Sequence, residues 1–270
     1  MWEEDLEDQT RRRVAWLIGG IAAIAVAAGS WYWYASQHRA AAPVPAVLRP
    51  PAPQPAPAES QIEHPIPGGG GSAGKLPALN DSDQVVHDSL AGVIGRGSVE
   101  RFLVPQNIVR HIVVTVDNLP RHKVASDLRP VKPTPGEAVT TTQGDITTLS
   151  DANFERYAPL VRVVQGTDVR ALALVYQRLY PLFQQAFEDL GYPGKYFNDR
   201  LVQAIDDALQ TPEVAGPIQL VQPKVFWEYA DPGLESRSAG QKLLIRMGPQ
   251  NARIIKAKLR EFRAQIVEKK

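Results

Sequence analysis

Residues 167–191, TDVRALALVYQRLYPLFQQAFEDLG, set the fold class. Val169, Leu172, Tyr176, Tyr180, Phe183 and Phe187 recur at spacings of three and four, which places them on neighbouring faces of one helix that ends near Gly191. Pro181 predicts a kink within it. Downstream, Leu201, Val202, Ile205 and Leu209 predict a helix over Asp199 to Leu209, closed by Pro212. The chain then ends in a helix after Pro249, in which Ile255, Leu259, Phe262 and Ile266 share one face.

Upstream, Asp81 or Ser82 is placed to cap a first helix carrying Val85, Val86, Leu90, Val93 and Ile94, stopped by Gly95 and Gly97. Ser98 is placed to cap a short turn with Val99, Phe102 and Leu103. Pro105 suits the first position of a helix through Ile108, Ile112 and Val116, although the β-branched run from Ile112 to Val116 also fits a strand. From Pro120 to Ser150, Pro130, Pro133, Pro135, Gly136 and Gly144 punctuate Thr-rich pieces that suit a hairpin or a long ordered loop, with helix resuming at Ser150. Ile218 to Tyr229 is the best strand candidate, bent at Pro223 and followed by an Asp231-Pro232-Gly233 turn. The expected fold class is mainly α, with a small β element and one long Pro/Thr-rich loop.

In front of this domain, Val14 to Tyr34 carries no charge, and as a helix it spans roughly 30 Å, the thickness of a bilayer's hydrocarbon core. Arg11, Arg12 and Arg13 precede it, and Trp31, Tyr32, Trp33 and Tyr34 stand where it would leave the lipid. The positive-inside bias puts residues 1–13 in the cytoplasm, 14–34 across the membrane, and the rest on the far side. A cleaved signal peptide is the weaker reading, because such an apolar core usually runs about 7–15 residues. Residues 35–75, rich in Pro and Ala and then Gly, suit an extended stalk, and residues 76–270 suit one exported domain.

The 270 residues include no cysteine, which excludes disulfides, thiolate nucleophiles and Cys-ligated metals. A net charge of +1 gives no argument for nucleic acid. Metalloprotease, nucleophile-elbow, phosphate-loop, dinucleotide and calcium-loop patterns are all missing, so neither cofactor nor metal is expected. His87, His111 and His122 are the domain's histidines, and their spacing alone does not make a ligand set.

Two stretches remain as candidate binding sites. Asp117, Asn118 and Arg121 sit in Asp-Asn-Leu-Pro-Arg, a turn that leaves a cation ready for an anion or a carboxylate, or else a turn braced by its own Arg bridge. Lys256, Arg260 and Arg263 lie together beside the apolar face of the last helix, within a segment (242–270) holding nine basic and two acidic residues. On an exported domain this surface suits anionic lipid, an acidic envelope protein or an anionic polymer. Phe226, Trp227 and Tyr229 suit stacking on a ligand or packing in the core. These features favour a binding, adaptor or assembly module over the alternative, an envelope-acting hydrolase using Asp117, Arg121 or His122 in the 117–122 loop.

The acidic start and basic triplet, the Pro/Ala stalk, Val116-Asp117-Asn118-Leu119-Pro120-Arg121, Phe226-Trp227-Glu228-Tyr229, Gly240-Gln241-Lys242-Leu243-Leu244 and Arg246-Met247-Gly248-Pro249 together carry a resemblance. The sequence resembles the proteobacterial DUF3014 family over essentially the whole outer domain. That resemblance implies a single-pass bacterial inner-membrane protein with a periplasmic domain, and it transfers no catalytic residue.

Overall fold

A 3-10 turn, Leu79–Asp81, leads into α1 (Asp83–Ile94). Ser82 stands at the expected cap position, but its hydroxyl donates to the Leu79 carbonyl at 2.7 Å instead of capping α1. Gly95, at φ +84°, ends the helix, and α2 (Arg96–Phe102) starts directly after it, so Ser98 lies inside α2 instead of capping it. The computed structural model describes residues 62–67, 76–123 and 125–268, and the membrane segment expected at 14–34 lies outside them. Among the described residues no helix is long and apolar enough to cross a membrane.

Helix α3 (Ile108–Asn118) begins three residues later than Pro105 suggests. Asn107 adopts the left-handed conformation (φ 53°), and the N–H groups of Asn107 and Ile108 both donate to the Asp83 carboxylate at 2.8 Å. The first turn of α1 thus caps α3. Ile112 to Val116 is helical, since Val109, Val113 and Val116 turn inward at helical spacing and are buried.

A four-stranded antiparallel sheet follows in the order β1 (Thr140–Gln143), β2 (Ile146–Leu149), β3 (Gln219–Val221), β4 (Glu228–Tyr229). Gly144, at φ +59°, makes the tight turn between β1 and β2. The stretch Ile218 to Tyr229 is therefore two short strands and not one. Pro223 lacks the N–H that pairing requires, and the intervening loop leaves Val225 and Phe226 76% and 79% exposed while Tyr229 is buried.

After α4 (Ala152–Glu155) and α5 (Ala158–Gly166) comes the 21-residue α6 (Val169–Asp189), which runs through Pro181. Asp168 caps it by accepting the N–H groups of Arg170 and Ala171. Tyr176, Phe183 and Phe187 from α6 meet Phe197 at the start of α7 (Phe197–Leu209), with Phe183 and Phe197 stacked 5.6 Å apart. Helices α1, α3, α6 and α7 share this main core with α10 (Pro249–Ile266), whose Ile266 is fully buried.

Two further helices, α8 (Pro232–Glu235) and α9 (Ala239–Met247), occupy a stretch where the sequence signals only the Asp231-Pro232-Gly233 turn. Ile245 of α9 packs under the sheet with Leu149, Ile218, Leu220 and Tyr229. Six residues of the expected stalk, 62–67, lie against the domain, and Ile66 is buried in the main core.

Candidate functional site

Asp117 lies in the last turn of α3, where its side chain is only 7% exposed. Its Oδ1 accepts from Arg200 Nε at 3.0 Å, and its Oδ2 accepts from Arg121 Nη2 at 2.7 Å and from the Tyr192 hydroxyl at 3.3 Å. Its backbone carbonyl accepts from Arg200 Nη2 and from Arg121 Nε. Arg121 also donates to Tyr192 Oη at 2.6 Å. The Asp117 charge, with the hydrogen bond it accepts, raises the Arg121 guanidinium above the usual arginine range.

The turn after α3 holds this arrangement in place. Asn118 donates to the Val114 carbonyl at 2.7 Å, satisfying a helix-end acceptor, and Arg121 N–H returns to the Asn118 carbonyl. The carbonyls of Leu119 and Arg121 then accept the N–H groups of Gly240 and Ala239, which seats the start of α9 on the turn. A Cβ on Gly240 would come within 3.3 Å of the Leu119 carbonyl oxygen, so the glycine suits that close approach.

Beside the bridge runs an open groove of about 930 Å³, walled by the exposed side of α7, by the turn holding Tyr192 and Lys195, and by Glu63 and His64. Within it the N–H groups of Glu63 and His64 donate to the two oxygens of Asp199, at 3.3 and 2.7 Å. The Asn198 amide donates to the His64 carbonyl at 2.8 Å and to the Ile266 carbonyl at 3.0 Å, while its oxygen accepts from Tyr176 Oη at 2.9 Å. Asn198, itself buried, therefore ties α6, α10 and the 62–67 segment together.

Two further acids of the groove are engaged as well. Asp206 takes Arg263 through both oxygens, at 2.6 and 2.9 Å, and Asp207 accepts from Ser238 and Gln241. The hydrogen bond with Asp206 raises Arg263. Burial drives the hydroxyls of Tyr176 and Tyr180 up, Tyr180 to about 12, so both stay protonated donors. Among the described residues no cluster of three or more His, Asp or Glu side chains is placed to hold a metal ion.

Of the residues singled out by sequence, Asp117 and Arg121 meet, whereas Asn118 braces the helix end and does not line the groove. His122 is exposed and does not face the groove, His87 lies 3.4 Å from Asp88, and His111 Nδ1 is buried without a partner among the described residues. The three basic residues of α10 divide: Arg263 is paired with Asp206, Lys256 Nζ donates to the Thr211 carbonyl at 2.8 Å, and Arg260 is exposed. Tyr192, Asn198, Asp199 and Arg200 were not anticipated. Arg200 stands 83 residues from the Asp117 it binds, and no local pattern marks such a pairing.

Fold and site define a mainly helical domain with a small antiparallel sheet and a charged open groove braced by an Asp–Arg–Tyr bridge. The chain belongs to the family described as "Protein of unknown function (DUF3014)", whose model matches residues 108–263, from the start of α3 nearly to the end of α10. The match leaves α1, α2 and the 62–67 segment outside it, a narrower reach than the whole outer domain. Neither a curated protein nor a solved structure gives a significant match.

Proposed function

We propose that this chain is a membrane-tethered binding module of the bacterial envelope that acts by contact, taking an extended polypeptide segment of a partner along the α7 groove. The observation that carries the reading is the grip on residues 62–67. Asp199 holds two backbone N–H groups and Asn198 holds a backbone carbonyl, which is how an extended chain is recognised irrespective of its side chains.

Beyond that segment the groove continues past the exposed Gln203 and Gln210, whose amides offer donors and acceptors of both kinds, while Asp206 and Asp207 keep the partners named above. A peptide matches such a surface better than a polyanion does, because each of its residues carries one donor and one acceptor. Asp117 suits a structural bridge more than a proton shuttle, since both its oxygens and its carbonyl already hold donors. The tether rests on the hydropathy of Val14 to Tyr34 and on the arginines before it, which together favour a cytoplasmic N-terminus, a single inner-membrane span and a periplasmic domain.

The test places a photo-crosslinking amino acid at the exposed Gln203, and at the exposed Leu174 as a control, in the full chain within its native membrane. The expected result is one reproducible envelope protein captured at Gln203, absent at Leu174 and lost when Lys195 is changed to Glu. Equal capture at both positions, or none at Gln203, would overturn the reading. Protease access to the domain in spheroplasts checks the side of the membrane on which it stands.

A further inference from the structure

On another part of the domain, α1, α2, α5, α6 and α10 converge without closing. They leave a cleft of about 360 Å³ whose seventeen lining residues include fourteen apolar ones. Leu90, Phe102, Leu160, Val163, Leu259 and Phe262 all reach it, and each is half-buried, since among the described residues no side chain from across the cleft covers it. Protein interiors normally pack without such space, so apolar side chains meeting around an open volume suit an apolar occupant. The polar groups on the lining are Ser98, Thr167 and Lys258, and Thr167 Oγ1 is already committed to the Val163 carbonyl.

That scarcity of partners decides between occupants. A peptide backbone or a sugar brings polar groups that would go unsatisfied in this cleft, whereas a hydrocarbon chain brings none. A helix, about 10 Å across, would lie over the opening without entering it. A cavity of ~150 Å³ accepts benzene, so on that scale this cleft takes a chain of about a dozen carbons. Among the described residues Lys258 supplies the one cation of the lining: its Nζ donates to the Thr167 carbonyl at 3.1 Å, lies 3.4 Å from the largely exposed Glu261 carboxylate, and keeps a third N–H.

We propose that this cleft binds a single long-chain fatty acid, its hydrocarbon among α1, α2, α5, α6 and α10 and its carboxylate on Lys258. The site is separate from the α7 groove and stands or falls independently of the peptide-binding reading.

The test uses the full chain in phosphatidylcholine nanodiscs with a diazirine-bearing C14 fatty acid, followed by irradiation, digestion and mass spectrometry. Adducts are expected on peptides covering α5 and α10, competed by unlabelled myristate. Lys258→Glu should reduce them about tenfold, the effect of losing one charge-assisted hydrogen bond. Val163→Trp, which fills the cleft, should abolish them. Circular dichroism checks that variant's fold, and if it fails to fold, Leu160→Phe serves in its place. Adducts that are absent from α5 and α10, unchanged in Lys258→Glu, or formed only when the same chain is presented on a phospholipid would overturn the assignment.

Discussion

Arg200 Nε lies 3.0 Å from Asp117 Oδ1, an ion pair that joins the first turn of α7 to the last turn of α3 with both side chains largely shielded. Arg121 binds the other oxygen of the same carboxylate, but it is half exposed. Two cations on one carboxylate thus differ in what their loss would do. Removing Arg200 leaves a shielded charge with one half-exposed cation and the Tyr192 hydroxyl, for which a cost of about 3 kcal/mol is expected. Removing Arg121 should cost about 1 kcal/mol or less, because water can replace an exposed guanidinium. Urea unfolding of Arg200→Ala and Arg121→Ala checks the order, and an equal or reversed loss would refute it.

Asp83 joins α1 to α3 through two backbone N–H groups that, among the described residues, no other group satisfies. Asp83→Ala should cost about 1–2 kcal/mol, as expected for a lost helix cap. Asp83→Asn should recover only part of that loss, since the amide oxygen can accept one of the two N–H groups while the amide NH2 meets the other donor to donor. Denaturant midpoints of the two variants check this: an Asp83→Asn as stable as the parent would show that the two-oxygen grip on Asn107 and Ile108 adds little to the fold.

This cap also shows what the sequence conveys and what it hides. Helical spacing in Val169 to Phe187 and in Ile255 to Ile266 is a local property, so both helices follow from it, as does the Gly95 stop. The start of α3 lies three residues beyond the Pro105 signal because its cap comes from Asp83, 24 and 25 residues upstream, a distance at which pattern carries no signal. The same holds for the site: Asp117 and Arg121 are four apart and their bridge is legible, whereas Arg200 and Tyr192 reach it only through the packing of α7 and α6 against α3. Phe226 reads as a strand residue by composition, but Pro223 breaks the ladder before it and leaves it exposed, whereas Trp227 and Tyr229 pack in the core beneath the sheet.

Gly248 separates α9 from α10 at φ +86°, and a Cβ there would run into the ring of Phe154. Gly248→Ala meets two penalties, a backbone region that L-residues avoid and a clash with an aromatic ring, so a loss of about 3 kcal/mol or more is expected. Adding Phe154→Ala to Gly248→Ala should relieve the clash but not the strain. In a double-mutant cycle the combined loss should therefore fall short of the sum of the two single losses. Strict additivity would show that the ring is not the obstacle.

Glu235 accepts from Lys242 Nζ at 2.6 Å and from the Tyr229 N–H at 2.9 Å, which ties α8, α9 and β4 together. Burial pushes its carboxyl up, but the Lys242 and Tyr229 hydrogen bonds outweigh this and hold it below the usual range. A folded value below the unfolded one means that the contribution is complete above the unfolded carboxyl range, about 4.3, and is lost as pH falls through the folded value. Glu235→Gln should therefore be less stable than the parent at pH 7, with the difference shrinking below about pH 4. A gap of constant size across that range, measured by denaturant midpoints, would count against the assignment.

The basic face of α10 gives the sharpest contrast between neighbours in a sequence pattern. Lys256, Arg260 and Arg263 share that face by spacing, beside the apolar side of the helix. Across from them, however, Asp206 takes Arg263 through two short hydrogen bonds, and Lys256 closes on the carbonyl of Thr211, while Arg260 points to solvent. Arg263→Glu would set two carboxylates against each other, and a loss of about 1–2 kcal/mol is expected from the broken pair and the new repulsion. Arg260→Glu should stay within about 0.5 kcal/mol of the parent. Combining Arg263→Glu with Asp206→Arg should restore much of the loss, because the pair is rebuilt with its signs exchanged. Thermal unfolding of the three variants decides the matter: a neutral Arg263→Glu, or a swap that recovers nothing, would show that the Asp206 bridge adds little to the fold and would return Arg263 to the set of cations available to a partner.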